Sequence, residues 1–178
     1  AGDQYSNGCM NVTCSHITFV GKGKTQTTIR GGFRVNNQQH VKFEELAITN
    51  PHELGNGLRL QGSATNVDVL KCTVKECQLS GMSVGQGATA TATRCDFMEN
   101  GHHGVASSGA NTKVRLNECT MHHNGYDGLV ACIDAVVDLH GTKTDIHSNK
   151  GGGILADAHG KVNIHLPSQH NTSHDNVQ

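Results

Sequence analysis

Gly104-Val-Ala-Ser107 and Gly128-Leu-Val-Ala131 are two copies of a short sequence motif that recurs about every 24 residues along the 178-residue chain. Further copies begin at Gly32, Gly57, Gly81 and Gly153. A fixed period in this range indicates one supersecondary unit that is stacked on copies of itself. The chain is therefore predicted to be a solenoid, in which each repeat contacts only its neighbours.

Each repeat contains three short segments in which apolar and polar residues alternate. In one repeat they are Gly81-Met-Ser-Val84, Ala90-Thr-Ala92 and Cys95-Asp-Phe97. Alternation gives a strand one buried and one solvated face. Because two-residue Asn-Gly hairpin turns do not separate the segments, we expect them to pair in parallel with the next coil, about 4.8 Å away. We predict an all-β parallel β-helix of six to seven coils, with an inward ladder of Leu58, Met82, Val105, Leu129 and Ile154.

The composition agrees with a single solenoid domain over residues 1–178. There are 22 Gly, 2 Pro and no Trp, and rows of small side chains can form a core without large rings. Residues 1–31 are predicted to form the initial coils, 32–165 the regular coils, and 166–178 a tail or the start of a further coil. The net charge of −1 and the lack of a basic stripe argue against nucleic-acid binding. The lack of an 18-residue apolar run argues against a membrane span.

Two stretches resemble a known group of proteins. Ile29-Arg-Gly-Gly-Phe33 and Asn124-Gly-Tyr-Asp-Gly-Leu129 look like the right-handed parallel β-helix repeats of the pectin-lyase-like superfamily. The tail from Ile164 to Asn176 is similar to uncharacterised β-helix proteins of eukaryotic algae and protists. The resemblance implies a right-handed helix. It leaves the function open, because the superfamily contains lyases, hydrolases, epimerases and non-catalytic scaffolds.

The sequence lacks the chemistry of the catalytic members. The predicted outward row of the first sheet contains no acidic residue for Ca²⁺; it reads Arg59, Ser83, Ala106, Val130 and Leu155. The paired carboxylates of inverting glycosidases are also missing, and Gly101-His-His-Gly104 is only a partial match to a polygalacturonase motif. We therefore assign no catalytic residue and predict a non-catalytic binding or structural module within a larger protein or assembly. The alternative is a polysaccharide-active lyase or glycoside hydrolase.

Charged residues on the second sheet form a candidate polar groove. The outward row includes Arg115 and Asp138, and a neighbouring row includes Arg94 and Glu118. These residues are expected to form ion pairs between coils. Alternatively, Arg94 and Arg115 donate to the carboxylate or sulfate groups of a polysaccharide.

Histidine is abundant, at 13 residues. When the repeats are aligned on their Asn turns, His122, His147 and His174 share one phase, and His123 lies in the next. Such a row could bind Zn²⁺, Cu²⁺ or Ni²⁺, or respond to pH, but we expect ordinary polar turns and no cofactor.

Three of the seven cysteines share a phase and are predicted to form a reduced, inward ladder: Cys72, Cys95 and Cys119. In an oxidising compartment, Cys9 and Cys14 would be the favoured disulfide pair.

The outward row of the first sheet becomes apolar at Ala106, Val130 and Leu155, which indicates a candidate interface. The last coil has no obvious cap. We therefore expect Leu166–Gln178, a protein partner or the remainder of the same protein to cover that end.

Overall fold

A computed structural model describes residues 5–6, 8–165 and 173–177. These residues form a parallel β-helix of seven coils, as the repeat predicted. The described part contains strands and turns but no helix, and so no helix that could cross a membrane.

After the short strand β1 (Tyr5–Ser6), each coil contributes three strands. The first three coils contain β2 (Cys9–Val12), β3 (Thr18–Val20), β4 (Thr28–Arg30), β5 (Gly32–Asn36), β6 (Val41–Glu44), β7 (Ala47–Thr49), β8 (Leu58–Gln61), β9 (Asn66–Leu70) and β10 (Thr73–Lys75). The next two contain β11 (Met82–Gly85), β12 (Thr89–Thr93), β13 (Asp96–Met98), β14 (Val105–Ser108), β15 (Lys113–Asn117) and β16 (Thr120–His122). The last two contain β17 (Leu129–Cys132), β18 (Val136–His140), β19 (Asp145–His147), β20 (Ile154–Asp157), β21 (Lys161–His165) and β22 (Ser173–His174).

The strands form three sheets that run the length of the solenoid. Sheet A is β1-β2-β5-β8-β11-β14-β17-β20, sheet B is β3-β6-β9-β12-β15-β18-β21, and sheet C is β4-β7-β10-β13-β16-β19-β22. The described pairs are parallel, except that β1 and β2 are antiparallel. The predicted inward ladder is confirmed, because Met82 pairs with Leu58 and Val105, and Leu129 pairs with Val105 and Ile154.

The core is a column of stacked apolar side chains inside the three sheets. Phe19, Phe33 and Phe43 form an aromatic cluster near its first coils, with ring centroids 4.8–5.0 Å apart. Further along, the column also includes smaller side chains such as Ala90 and Val114, which are 1% exposed. The core therefore combines small and β-branched residues with Leu and Met side chains, and, contrary to the expectation of a core without large rings, the phenylalanines are part of it.

The predicted cysteine ladder is confirmed at the corner between sheets B and C. Cys72, Cys95 and Cys119 are fully buried free thiols. Each Sγ donates to the carbonyl two residues earlier, over 3.3–3.5 Å. Burial raises the pKa of the Cys72 and Cys95 thiols, which keeps them in the unreactive neutral form.

Cys9 and Cys14, the pair favoured for an oxidising compartment, are not joined in this structure. Both are free thiols; Cys9 is buried and Cys14 is exposed. The Sγ of Cys9 instead contacts the side-chain amide of Asn50 and donates to the carbonyl of Asn56.

The asparagines after sheet C form a second buried ladder. The Nδ2 of Asn100 donates to Oδ1 of Asn124 over 3.0 Å, and Asn124 donates in the same way to Asn149 over 2.9 Å. Asn149 continues the chain to Asn176 over 2.8 Å. The left-handed backbone at this corner belongs to the residue before each asparagine and not to the asparagine itself. The residues before them have positive φ, namely Glu99, His123, Ser148 and Asp175.

The asparagine ladder explains why glycine begins each repeat. A Cβ added to Gly104 would lie 2.7 Å from the carbonyl oxygen of Gly128 and 2.9 Å from Nδ2 of Asn124. Contacts under 3.0 Å to backbone force the structure to shift. A Cβ added to Gly128 would likewise lie 2.8 Å from Nδ2 of Asn149. The periodic glycine thus leaves room for the amides of the next coil.

The seventh coil is open at its end in the described residues. The inward-facing Ile164 is 52% exposed, and Ala156, the counterpart of the buried Ala131, is also exposed. Residues 173–177 do not cover these side chains, because β22 pairs with β19 and adds a strand to sheet C. The rest of the predicted cover, 166–172 and 178, lies outside the described residues.

Replacing Asn124 with alanine should destabilise the fold by about 3 kcal/mol, since it removes four buried hydrogen bonds and leaves their partners unsatisfied. The matched control is Asn66→Ala at the first residue of β9, where a change within about 0.5 kcal/mol is expected. Chemical denaturation followed by circular dichroism measures both. Equal midpoints for the two variants would contradict a stabilising ladder.

Thiol titration should separate exposed from buried cysteines. In the native protein, a water-soluble disulfide reagent should modify Cys14 first, because it is the exposed cysteine. After unfolding without reductant, all seven thiols should react. The loss of two among Cys72, Cys95 and Cys119 to a mutual disulfide would contradict the reduced ladder.

Candidate functional site

Arg94 of the candidate groove lies at the corner between sheets B and C. Its Nε donates to Oε2 of Glu118 over 2.8 Å, which confirms the predicted ion pair. In the same row, Lys71 and Glu45 are paired at 2.8 Å. Lys24, on the loop between β3 and β4, is paired with Asp96. The charges at this corner largely compensate one another, so they contribute little to binding an external anion.

Arg115 and Asp138 lie on the outer face of sheet B. They are directly opposite in the β15–β18 pair, but they do not form the expected ion pair. Oδ1 of Asp138 instead accepts from Nδ2 of Asn163 over 3.0 Å and contacts Nε2 of His165 at 3.1 Å. These contacts lower the pKa of Asp138, with the Asn163 bond as the main cause. Arg115 is left facing solvent.

The predicted histidine row is present along one edge. The rings of His122 and His147 stack at 4.9 Å, and those of His147 and His174 stack at 5.2 Å. His123 stands at right angles to His122, with their Nδ1 atoms 2.8 Å apart. Burial and the neighbouring imidazoles lower the pKa of His122. The stacked rings are spread over three coils and do not surround a common point.

A second histidine cluster surrounds Tyr126, whose side chain is 54% exposed. The ring of His102 lies 4.9 Å from Tyr126, and that of His103 lies 5.7 Å away. His103 Nδ1 accepts from the backbone N–H of Asp127 over 3.3 Å. The carboxylate of Asp127 lies 3.2 Å from the same nitrogen and would favour a charged ring. Burial has the larger effect and lowers the pKa of His103. His103 is therefore neutral near pH 7.

The structure reveals a pair of arginines that sequence analysis did not single out. Arg34 on β5 and Arg59 on β8 are directly opposite on the outer face of sheet A. Neither forms an ion pair with a described residue; Nε of Arg59 donates to Oε1 of Gln61 over 3.2 Å. The Nε of Arg34 is buried without a hydrogen-bond partner. The signal was present in the repeats, because both arginines are the third residue of Gly32-Phe-Arg-Val35 and Gly57-Leu-Arg-Leu60.

The candidate interface on sheet A is less uniform than expected. Ala106 and Val130 are paired neighbours, and Val130 pairs with Leu155. Val130 is only 8% exposed, whereas Leu155 is 43% exposed. The apolar surface available to a partner is thus centred on Leu155 in the seventh coil.

Residues 5–174 match the family described as the right handed beta helix region. The match spans nearly the whole chain and agrees with the coil architecture, so the protein belongs to the right-handed β-helix family. No curated protein and no solved structure was found to match. The expected similarity to algal and protist proteins therefore has no support from these searches.

The neutral, half-buried His103 should make folding depend on pH. Its pKa is lower in the folded state, so the unfolded chain binds more protons below about pH 6.5, the usual histidine pKa. Stability should therefore fall as pH decreases from 7.5 to 5.5. His103→Gln should make this decrease less steep, as measured by denaturant midpoints at each pH. His159→Gln, in an exposed turn, is the control, and equal slopes for both variants would contradict the assignment.

Proposed function

We propose that the protein is a non-catalytic binding module that holds an acidic polysaccharide against the outer face of sheet A. One observation carries the proposal. Two guanidinium groups, on Arg34 and Arg59, occupy opposing positions without a carboxylate partner among the described residues. Like charges that face one another across a strand pair destabilise a sheet. A ligand that supplies the missing negative charge would compensate for this cost.

Amide side chains surround the arginine pair and extend the polar surface. Asn11 lies opposite Arg34 on the strand before it, and Asn36 lies opposite Gln61 on the strand pair that contains the arginines. Amides donate to and accept from hydroxyl groups, whereas guanidinium groups bind carboxylates or sulfates, often through two parallel bonds. Such a surface fits an acidic sugar polymer that offers both kinds of group.

The outward row through the arginines supports binding rather than catalysis. It reads Asn11, Arg34, Arg59, Ser83, Ala106, Val130 and Leu155 in the described coils. None of these side chains is a carboxylate that could act as general acid or base in glycoside hydrolysis. The half-buried His103 beside Asp127 keeps a polysaccharide-active enzyme as the alternative.

Isothermal titration calorimetry with polygalacturonate, dextran sulfate and neutral dextran tests the proposal. The wild-type protein should bind the acidic polymers and not neutral dextran, with affinity that falls as salt rises. Arg59→Gln should weaken binding at least about tenfold, because a hydrogen bond to a charged group is worth roughly 1.5–3 kcal/mol. Arg115→Gln, an outward arginine on sheet B, is the matched control and should bind like the wild type.

Two results would contradict this assignment. Unchanged affinity of both Arg34→Gln and Arg59→Gln would show that the arginine pair is not the binding site. New reducing ends released from polygalacturonate by the wild-type protein, and lost in His103→Gln, would favour the enzyme alternative.

A further inference from the structure

Three potential metal ligands converge on the outer face of sheet B, away from the arginine pair. Asp138 and His140 both lie on β18 and are two residues apart, so they project from the same face of the strand. His165 on β21 is the registered partner of His140 in the next coil. One ligand atom from each of the three side chains lies within 4.8 Å of the other two.

The three side chains are close together but are not yet oriented as metal ligands. The rings of His140 and His165 are parallel within 1°, with centroids 4.4 Å apart. Nε2 of His165 already lies 3.1 Å from Oδ1 of Asp138. In a tetrahedral zinc site the ligand atoms are about 3.4 Å apart, since the metal–nitrogen distance is about 2.0–2.1 Å. Because the lone pairs of parallel rings do not point at a common ion, one imidazole must rotate about its side-chain torsions on metal binding. The exposed His165 has room for this rotation, whereas His140 and Asp138 are partly buried.

A further residue orients the carboxylate. Nδ2 of Asn163 donates to Oδ1 of Asp138 over 3.0 Å, from the neighbouring strand. Hydrogen bonds of this kind fix the direction of a ligand and typically change metal affinity 10–100-fold. The other oxygen of Asp138 remains available to an ion.

We propose that Asp138, His140 and His165 bind a divalent transition-metal ion of the Zn²⁺, Ni²⁺ or Cu²⁺ type and thereby clip the seventh coil to the sixth. Two imidazoles and one carboxylate are the donors that these ions prefer, whereas Ca²⁺ and Mg²⁺ prefer a shell of oxygens. With three protein ligands, water fills the remaining position.

This group differs from the histidine row that the sequence suggested. Among the described residues, it is the one cluster in which three such ligand atoms meet. The histidine row also has stacked rings in successive coils, as His122 and His147 show, but no three of its ligand atoms among the described residues lie within 4.8 Å of one another. His147→Asn is therefore a control that removes an imidazole without touching the proposed site.

Arg115 offers an independent test of whether a cation binds beside Asp138. It lies opposite Asp138 on the neighbouring strand, so its positive charge opposes the binding of a dication. Removing that charge should strengthen metal binding. A purely structural role for Asp138 would not produce this gain.

Calorimetric titration with Zn²⁺ tests the proposal on the whole chain. We expect one ion per protein in the wild type, at least tenfold weaker binding in His165→Asn, weaker binding in Asn163→Ala, and tighter binding in Arg115→Gln. His147→Asn should bind like the wild type. Saturating Zn²⁺ should raise the melting temperature by about 3 °C or more and slow amide exchange in β21, because the ion binds only the folded state.

The outcomes are distinct from those of the polysaccharide test, which involves sheet A. Undiminished binding by His165→Asn, or loss of binding in His147→Asn, would overturn the proposed site. Failure of the wild type to bind Zn²⁺ at millimolar concentration would also overturn it. Circular dichroism of each variant confirms that it is folded, and His165 is exposed, so its replacement does not disturb the core.

Discussion

Every coil of this protein hydrogen-bonds to the next through parallel strands, and this pairing fixes which side chains lie above one another. Met82 stands between Leu58 and Val105 because the backbone bonds of sheet A hold all three strands in one register. Neighbouring strands are about 4.8 Å apart, so a side chain always meets its counterpart in the adjacent coil. The chemistry of each row then depends on whether its members attract or repel one another.

Some rows in this protein consist of side chains that attract one another, and others consist of side chains that repel. Asparagine can donate to and accept from a copy of itself, so the row from Asn100 to Asn149 is buried and hydrogen-bonded from coil to coil, and the partly buried Asn176 continues it. Thiols pack as small apolar groups, and burial suppresses the ionisation of Cys95. The opposing arginines have no such complementarity. Rows that satisfy themselves hold the solenoid together, whereas rows that do not are the places where an external ligand is most useful.

The sequence predicted which residues lie above one another in successive coils better than it predicted the hydrogen bonds and ion pairs between them. The glycine period placed the inward ladder and the cysteines correctly, because a strict repeat transmits its phase from coil to coil. The sequence did not predict the amide ladder, because an asparagine side chain suits both a left-handed corner and a ladder, and only the contacts distinguish them. His140 and His165 were overlooked because the alignment was anchored on the Asn turns, whereas these residues share a phase at the end of sheet B. The partner of Asp138 depends on side-chain rotamers, which spacing does not specify.

The close packing of glycine against asparagine in each coil also determines how the length of such a chain can change in evolution. Gly104 leaves room for the amide of Asn124 and for the backbone carbonyl of Gly128 in the next coil, so a larger residue at this position would not fit. A one-residue insertion inside a strand would turn every later side chain towards the wrong face. Duplication or loss of a whole coil preserves all of these contacts. In-frame recombination between repeats, rather than gradual lengthening of strands, is therefore the route by which a molecule of this kind can grow or shorten without losing its core.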